Sequence, residues 1–137
     1  MRNRFSLFVI FLLFPFLLSA GIIDSLEQVL RKQTGKERIS TLCELSEELI
    51  GHNNERAKAL GKEALNLAVD AENDKLIIQT NSALGYVFDQ LGLYPEALQY
   101  YKEALRVAER SNDSLKIGVA CTNVGRVLFS YRADLKE

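Results

Sequence analysis

Residues 57–137 say much the same thing twice, forty positions apart. Lys62-Glu63-Ala64-Leu65 returns as Lys102-Glu103-Ala104-Leu105. Ala57, Ala68, Ile77, Gly85 and Val87 return as Ala97, Ala108, Ile117, Gly125 and Val127. Laid over each other, 53–97 and 93–137 agree at nine of 45 positions, where ordinary composition gives about three. A fixed period of 20–50 residues marks an array of supersecondary units, each burying its apolar face against the next. That excludes most single-core folds before any composition is counted.

The array does not begin at residue 1. Arg2 and Arg4 precede Phe5–Leu18, which is Phe, Leu, Val and Ile broken only by Ser6 and Pro15, and Ser19-Ala20 follows. Charged, apolar and then small is the layout of a secretory signal. A lipoprotein signal would place Cys after the small residues, where Gly21 and Ile22 stand. Phe5–Ile23 is also an uncharged run long enough for a membrane anchor, so residues 1–20 are expected to be a cleaved signal or a retained anchor. Either way the rest of the chain is expected outside the cytoplasm, periplasmic or secreted. Without residues 1–20, Lys+Arg drops from 17 to 15 against 18 Asp+Glu, a formal charge of about −3 with both signs interspersed. No basic stripe is there to hold phosphates, which disfavours nucleic acid.

The periodicity is helical throughout. Ala57, Leu60, Ala64, Leu65, Leu67, Ala68 and Ala71 recur at spacings of three, four and seven, one face of a helix over 55–72. Asn53-Asn54 is its expected cap. Further helices are expected over 75–91, 95–110 and 115–131, with Pro95 as an opening residue. Upstream, 22–33 and 37–50 read as two more, parted by Thr34-Gly35. No segment reads as a strand, so the expected class is all-α, an α-solenoid of antiparallel helix pairs.

One unit carries a recognisable pattern. From Asn81 to Leu105 the chain resembles a tetratricopeptide repeat (TPR), matching at Leu84-Gly85, Phe88, Ala97, Tyr101 and Ala104, with Gly92-Leu93-Tyr94 as the turn. Asn81 replaces the usual Trp, and the closing Pro is missing. The physics agrees: Gly inside a helix costs about 1 kcal/mol against Ala, so Gly85 and Gly125 need a reason, and a closely crossing helix supplies one. Phe88 and Tyr101 then fill the space between helices. The flanking units are weaker. Leu45-Ser46 and Leu49 stand for Leu-Gly and the aromatic in the first repeat, Gly61 occupies an aromatic position, and Tyr131-Arg132-Ala133-Asp134 replaces the turn in the third. The resemblance implies a leading helix over 21–36 and an array over 37–137, about two and a half repeats, incomplete at the C-terminus. An export signal ahead of such an array also resembles the N-terminus of bacterial TPR-containing sensor histidine kinases or regulators. That implies the sensory or scaffolding part of a larger membrane-attached signalling protein, with a free-standing secreted or periplasmic scaffold as the alternative.

Catalytic chemistry finds little to use. His52 is the lone histidine, and no Gly-rich phosphate loop occurs. Glu47 and Glu48 diverge by 100° on a helix and read as a solvated face. Cys43 and Cys121 read as small buried apolar side chains, a disulfide being open only in principle. No enzyme, cofactor or metal site is expected. In the resembled family the working surface is the concave wall made by the first helix of each pair. Projecting the repeat places Gln79, Ser82, Tyr86, Asp89, Gln90, Thr122, Arg126, Phe129 and Ser130 there. Tyr86 and Phe129 would anchor a protein or peptide ligand, and Arg126 would meet a carboxylate. The Lys/Asn clamp that some family members use for acidic C-termini is not reproduced. Membrane contact is expected only through the N-terminal segment or a downstream helix. The face of Ile117, Cys121, Val124 and Leu128 lacks the covering helix that its counterpart has one repeat earlier, so self-association through it is expected.

Overall fold

A computed structural model describes residues 21–135; the expected signal or anchor over 1–20 lies outside them. The described residues form six helices: α1 over 21–30, α2 (Gly35–Glu48), α3 (Asn54–Asp70), α4 (Asp74–Gln90), α5 (Tyr94–Arg110) and α6 (Ser114–Asp134). Neighbours in sequence pack together as consecutive helical hairpins, giving an all-α, solenoid-like architecture. The first helices of successive hairpins also touch, α2 against α4 and α4 against α6.

Short polar residues set the boundaries. The side chains of Asn53, Asn73 and Asp113 accept hydrogen bonds from the backbone N–H three residues on, at Arg56, Leu76 and Lys116. That satisfies donors which the first turn of a helix leaves orphaned. α5 has no such cap and opens instead with Pro95, whose missing N–H costs nothing there. The helices end on left-handed residues at a regular interval: Gly51, Glu72, Gly92 and Asn112 have φ of 80°, 49°, 71° and 54°. After three of them, the N–H groups of Asn73, Leu93 and Asp113 reach back five residues to the carbonyls of Ala68, Phe88 and Ala108. This is the bond that closes a Schellman motif. The connections therefore recur at about the half-period of the repeat, and the hairpins stack without linkers.

Packing follows the small residues. Ala57, Ala64, Ala68, Ala97, Ala104 and Ala108 are wholly buried, so the second helices lie close against the first. Leu84 and Tyr101 fill the space between α4 and α5, and Phe88 stacks on Tyr100 with ring centroids 5.2 Å apart. A Cβ on Gly85 would come within 2.7 Å of the Tyr101 ring, so the close crossing expected there is present. In the preceding repeat the sizes are exchanged. Gly61 occupies the aromatic position, and Leu84 and Ser46 close over it, 2.7 and 3.0 Å from where its Cβ would be.

Four expectations need correction. Gly125, expected to be crossed like Gly85, is exposed and has nothing within 4 Å of its Cβ position. The ring that crosses Gly85 belongs to α5, and no described helix follows α6 to provide its equivalent. Cys121, expected to be buried, is exposed for the same reason, while Cys43 is buried; both are free thiols. Tyr131–Asp134, expected as a replacement turn, continues α6, where Tyr131 meets Tyr94 with centroids 6.0 Å apart. Asp89, assigned to an open wall, is 7% exposed. Among the described residues no helix is long and apolar enough to cross a membrane.

Candidate functional site

The surface shared by α2, α4 and α6 is the candidate site, because there the parallel first helices leave side chains to solvent. Gln79 ties α4 to α2 by donating to the Ser40 hydroxyl at 3.4 Å. Asp89 ties α4 to α6: its carboxylate, with 4% of the side chain exposed, pairs with the Arg126 guanidinium. Arg126 also donates to the buried Tyr101 hydroxyl at 3.1 Å. Its Cζ lies 6.0 Å from the Tyr101 ring centroid. Bonding to Asp89 raises the Arg126 pKa further above its ordinary value. Burial pushes the Tyr101 phenol up to about 12 against the opposing pull of Arg126. The carboxylate that Arg126 was expected to meet in a ligand is thus already supplied by its own chain.

The sequence-derived residues fall into separate places along this wall. Gln79 and Ser82 line a groove of about 390 Å³ between α4 and α6, together with Lys75, Ile78, Leu115, Lys116 and Val119. Thr122 lies one turn further along α6 beside Gly118 and Val119, its hydroxyl donating to the Gly118 carbonyl at 2.9 Å. Tyr86 and Gln90 border an open hollow of about 330 Å³ with Glu47, Glu48, Ile50 and His52. Phe129 stands 78% exposed on α6, and Ser130 is half-buried beside it. The two expected anchors thus sit on different helices, Tyr86 on α4 and Phe129 on α6.

Sequence reasoning missed several lining residues. Lys75, Leu115 and Lys116 lie in the first turns of α4 and α6, below the positions projected, and Ile78 is the buried neighbour of Gln79. Val119 is the repeat equivalent of Gln79 but falls among neither the core nor the wall residues expected from sequence; it is 53% exposed. Glu47 and Glu48, though diverging on α2, both reach the rim of one hollow because it is wide and open. Glu47 is an exposed residue, yet partial desolvation, then Glu44 and Glu48, hold its carboxyl above the usual range. Among the described residues no group of His, Cys, Asp and Glu is placed to hold a metal ion. Compared with known proteins, the chain matches no family model and no curated protein.

Proposed function

We propose that this chain is a TPR-type module, displayed outside the cytoplasm, that binds a protein or peptide along the wall of α2, α4 and α6. The observation that carries this reading is the exposure of side chains suited to recognition on neighbouring first helices. Tyr86 is 39% and Phe129 78% exposed, and Gln79 and Ser82 flank a groove between two helices. Aromatic side chains with an apolar body and a rigid frame are the usual anchors of such contacts. Helix pairs hold the wall rigid, so little conformational entropy is lost when a ligand seats. The TPR-like residues Leu84, Gly85, Phe88, Ala97, Tyr101 and Ala104 support the family reading by packing as that pattern requires. Export rests on the character of residues 1–20, and membership of a larger membrane-attached signalling protein rests on the resemblance alone.

The test is selection of peptides from a random displayed library against the chain, followed by mapping of amide shifts. Shifts clustered on Gln79, Ser82, Tyr86 and their neighbours are expected, with binding weakened by Tyr86→Ala. Shifts confined to the outer faces of α3 and α5 would overturn the reading. Export is tested separately by fusing a reporter that is active only outside the cytoplasm after residue 135; an inactive fusion would overturn it.

A further inference from the structure

The groove between α4 and α6 has a definite chemistry. Its floor and walls include Ile78, which is buried, with Leu115 and Val119, which are 78% and 53% exposed. Exposed aliphatic side chains along a groove mark a place where apolar surface is covered on binding. The charged residues lining the groove, Lys75 and Lys116, are both cations. Neither side chain makes an ion pair or hydrogen bond among the described residues, which leaves both ammonium groups available to a ligand. Two carboxylates stand at the same helix starts, Asp74 beside Lys75 and Asp113 as the cap of α6. Asp74 pairs with Arg110, and Asp113 accepts from the Lys116 backbone N–H at 3.1 Å.

The lysines also stand where helix electrostatics disfavour them. Lys75 is the second residue of α4 and Lys116 the third of α6. A helix N-terminus already carries partial positive charge, so a cation in the first turn is disfavoured where an anion would be favoured. Of the charged groups at this end of the groove, Lys75, Lys116 and Arg110 carry three positive charges against the two negative charges of Asp74 and Asp113, and the two ammonium groups are the ones that line the apolar surface.

Building on the peptide-binding reading above, we infer that the α4–α6 groove takes a peptide segment in which acidic side chains flank an aliphatic one. The aliphatic side chain sits against Ile78, Leu115 and Val119. The carboxylates reach Lys75 and Lys116, and Gln79 and Ser82 supply hydrogen bonds to the peptide backbone. Recognition is through side chains within the segment, so it does not require a free chain terminus.

The probe is an acetylated and amidated octapeptide alternating Glu and Leu, titrated into the chain beside Gln/Leu and Lys/Leu versions. Amide shifts centred on Gln79, Ser82 and Val119 are expected for the Glu/Leu peptide only, with affinity falling steeply as salt rises. Lys75→Glu with Lys116→Glu should weaken that peptide at least tenfold and shift preference to the Lys/Leu version. Both lysines are solvent-facing at least in part, and an unchanged thermal melt confirms that the variant is folded. Equal binding of the Gln/Leu peptide, or binding indifferent to the charge reversal, overturns the inference. Library-selected peptides that map to Tyr86 and show no acidic preference would overturn it while leaving peptide binding by the wall intact. Binding of inorganic phosphate or anionic vesicles at the same lysines with no binding of the Glu/Leu peptide would also overturn it.

Discussion

Gly85 lies against the face of Tyr101: a Cβ on Gly85 would sit 2.7 to 2.9 Å from three carbons of that ring. The ring cannot retreat, being 1% exposed with its hydroxyl held by Arg126. Gly85→Ala should therefore destabilise by about 1–3 kcal/mol through overpacking. That exceeds the gain of about 1 kcal/mol from better helix propensity. At the equivalent position one repeat later nothing approaches, so Gly125→Ala should show the propensity gain and raise stability by up to about 1 kcal/mol. Urea midpoints of the two variants should move in opposite directions, and a shift of the same sign for both would show the packing of α4 to be wrongly described.

Asp89 and Arg126 form an unequal pair, the carboxylate almost enclosed and the guanidinium 43% exposed. Removing the exposed partner strands the enclosed charge, so Arg126→Ala should cost about 2 kcal/mol, less than a fully buried pair because water reaches one side. Asp89→Ala removes the charge with its need and should cost less, and the double variant should resemble it. A double-mutant cycle on the thermal melt reads the coupling directly. Additive costs would mean that the pair contributes nothing to joining α4 and α6.

Much of this architecture was legible because it depends on local chemistry. Asn53 and Pro95 mark helix starts by their own chemistry, and the alanine spacing shows which faces are buried. A close crossing at Gly85 was legible because a glycine inside a helix needs a reason, while the ring that makes the crossing, Tyr101, is shown only by the packing. Other features depend on what lies opposite. Gly125 repeats Gly85 in sequence but has no ring above it, so identical letters give opposite environments. Asp89 looks like a wall residue by register, yet it is enclosed and pairs with Arg126 from α6. The lysines of the α4–α6 groove escaped notice because a groove belongs to two helices, and no spacing within either one reveals it.

Glu72 ends α3 at φ 49°, where Gly51 and Gly92 end their helices with glycine. A side chain there crowds the backbone by roughly 1–2 kcal/mol. Glu72→Gly should relieve this and still lose some stability to the greater freedom of the unfolded chain, for a net gain of about 0.5–1 kcal/mol. Thermal melts of that variant should shift upward by a few degrees. A downward shift would mean that the Glu72 side chain makes a contact worth more than its strain.

Two buried acids make stability fall in alkali. Burial, then the negative charges of Glu47 and Glu44, pushes the Cys43 thiol up to about 12 from an ordinary 9.0. Burial likewise pushes the Tyr101 phenol up to about 12 from 10.0. Both folded values lie above the unfolded ones, so above pH 9 the unfolded chain releases protons first and the folded state loses ground. The stabilisation is intact below about pH 9 and is lost progressively as pH rises through 12. At pH 11 the combined loss should be on the order of 4 kcal/mol. Urea midpoints should fall between pH 8 and pH 11, with Cys43→Ala and Tyr101→Phe each reducing the fall. The same burial predicts that a thiol reagent at pH 8 modifies Cys121 promptly and Cys43 only after denaturant is added, read as mass increments on the intact chain. Rapid modification of both thiols in the native protein would show that α2 is not packed against α3 and α4 as described.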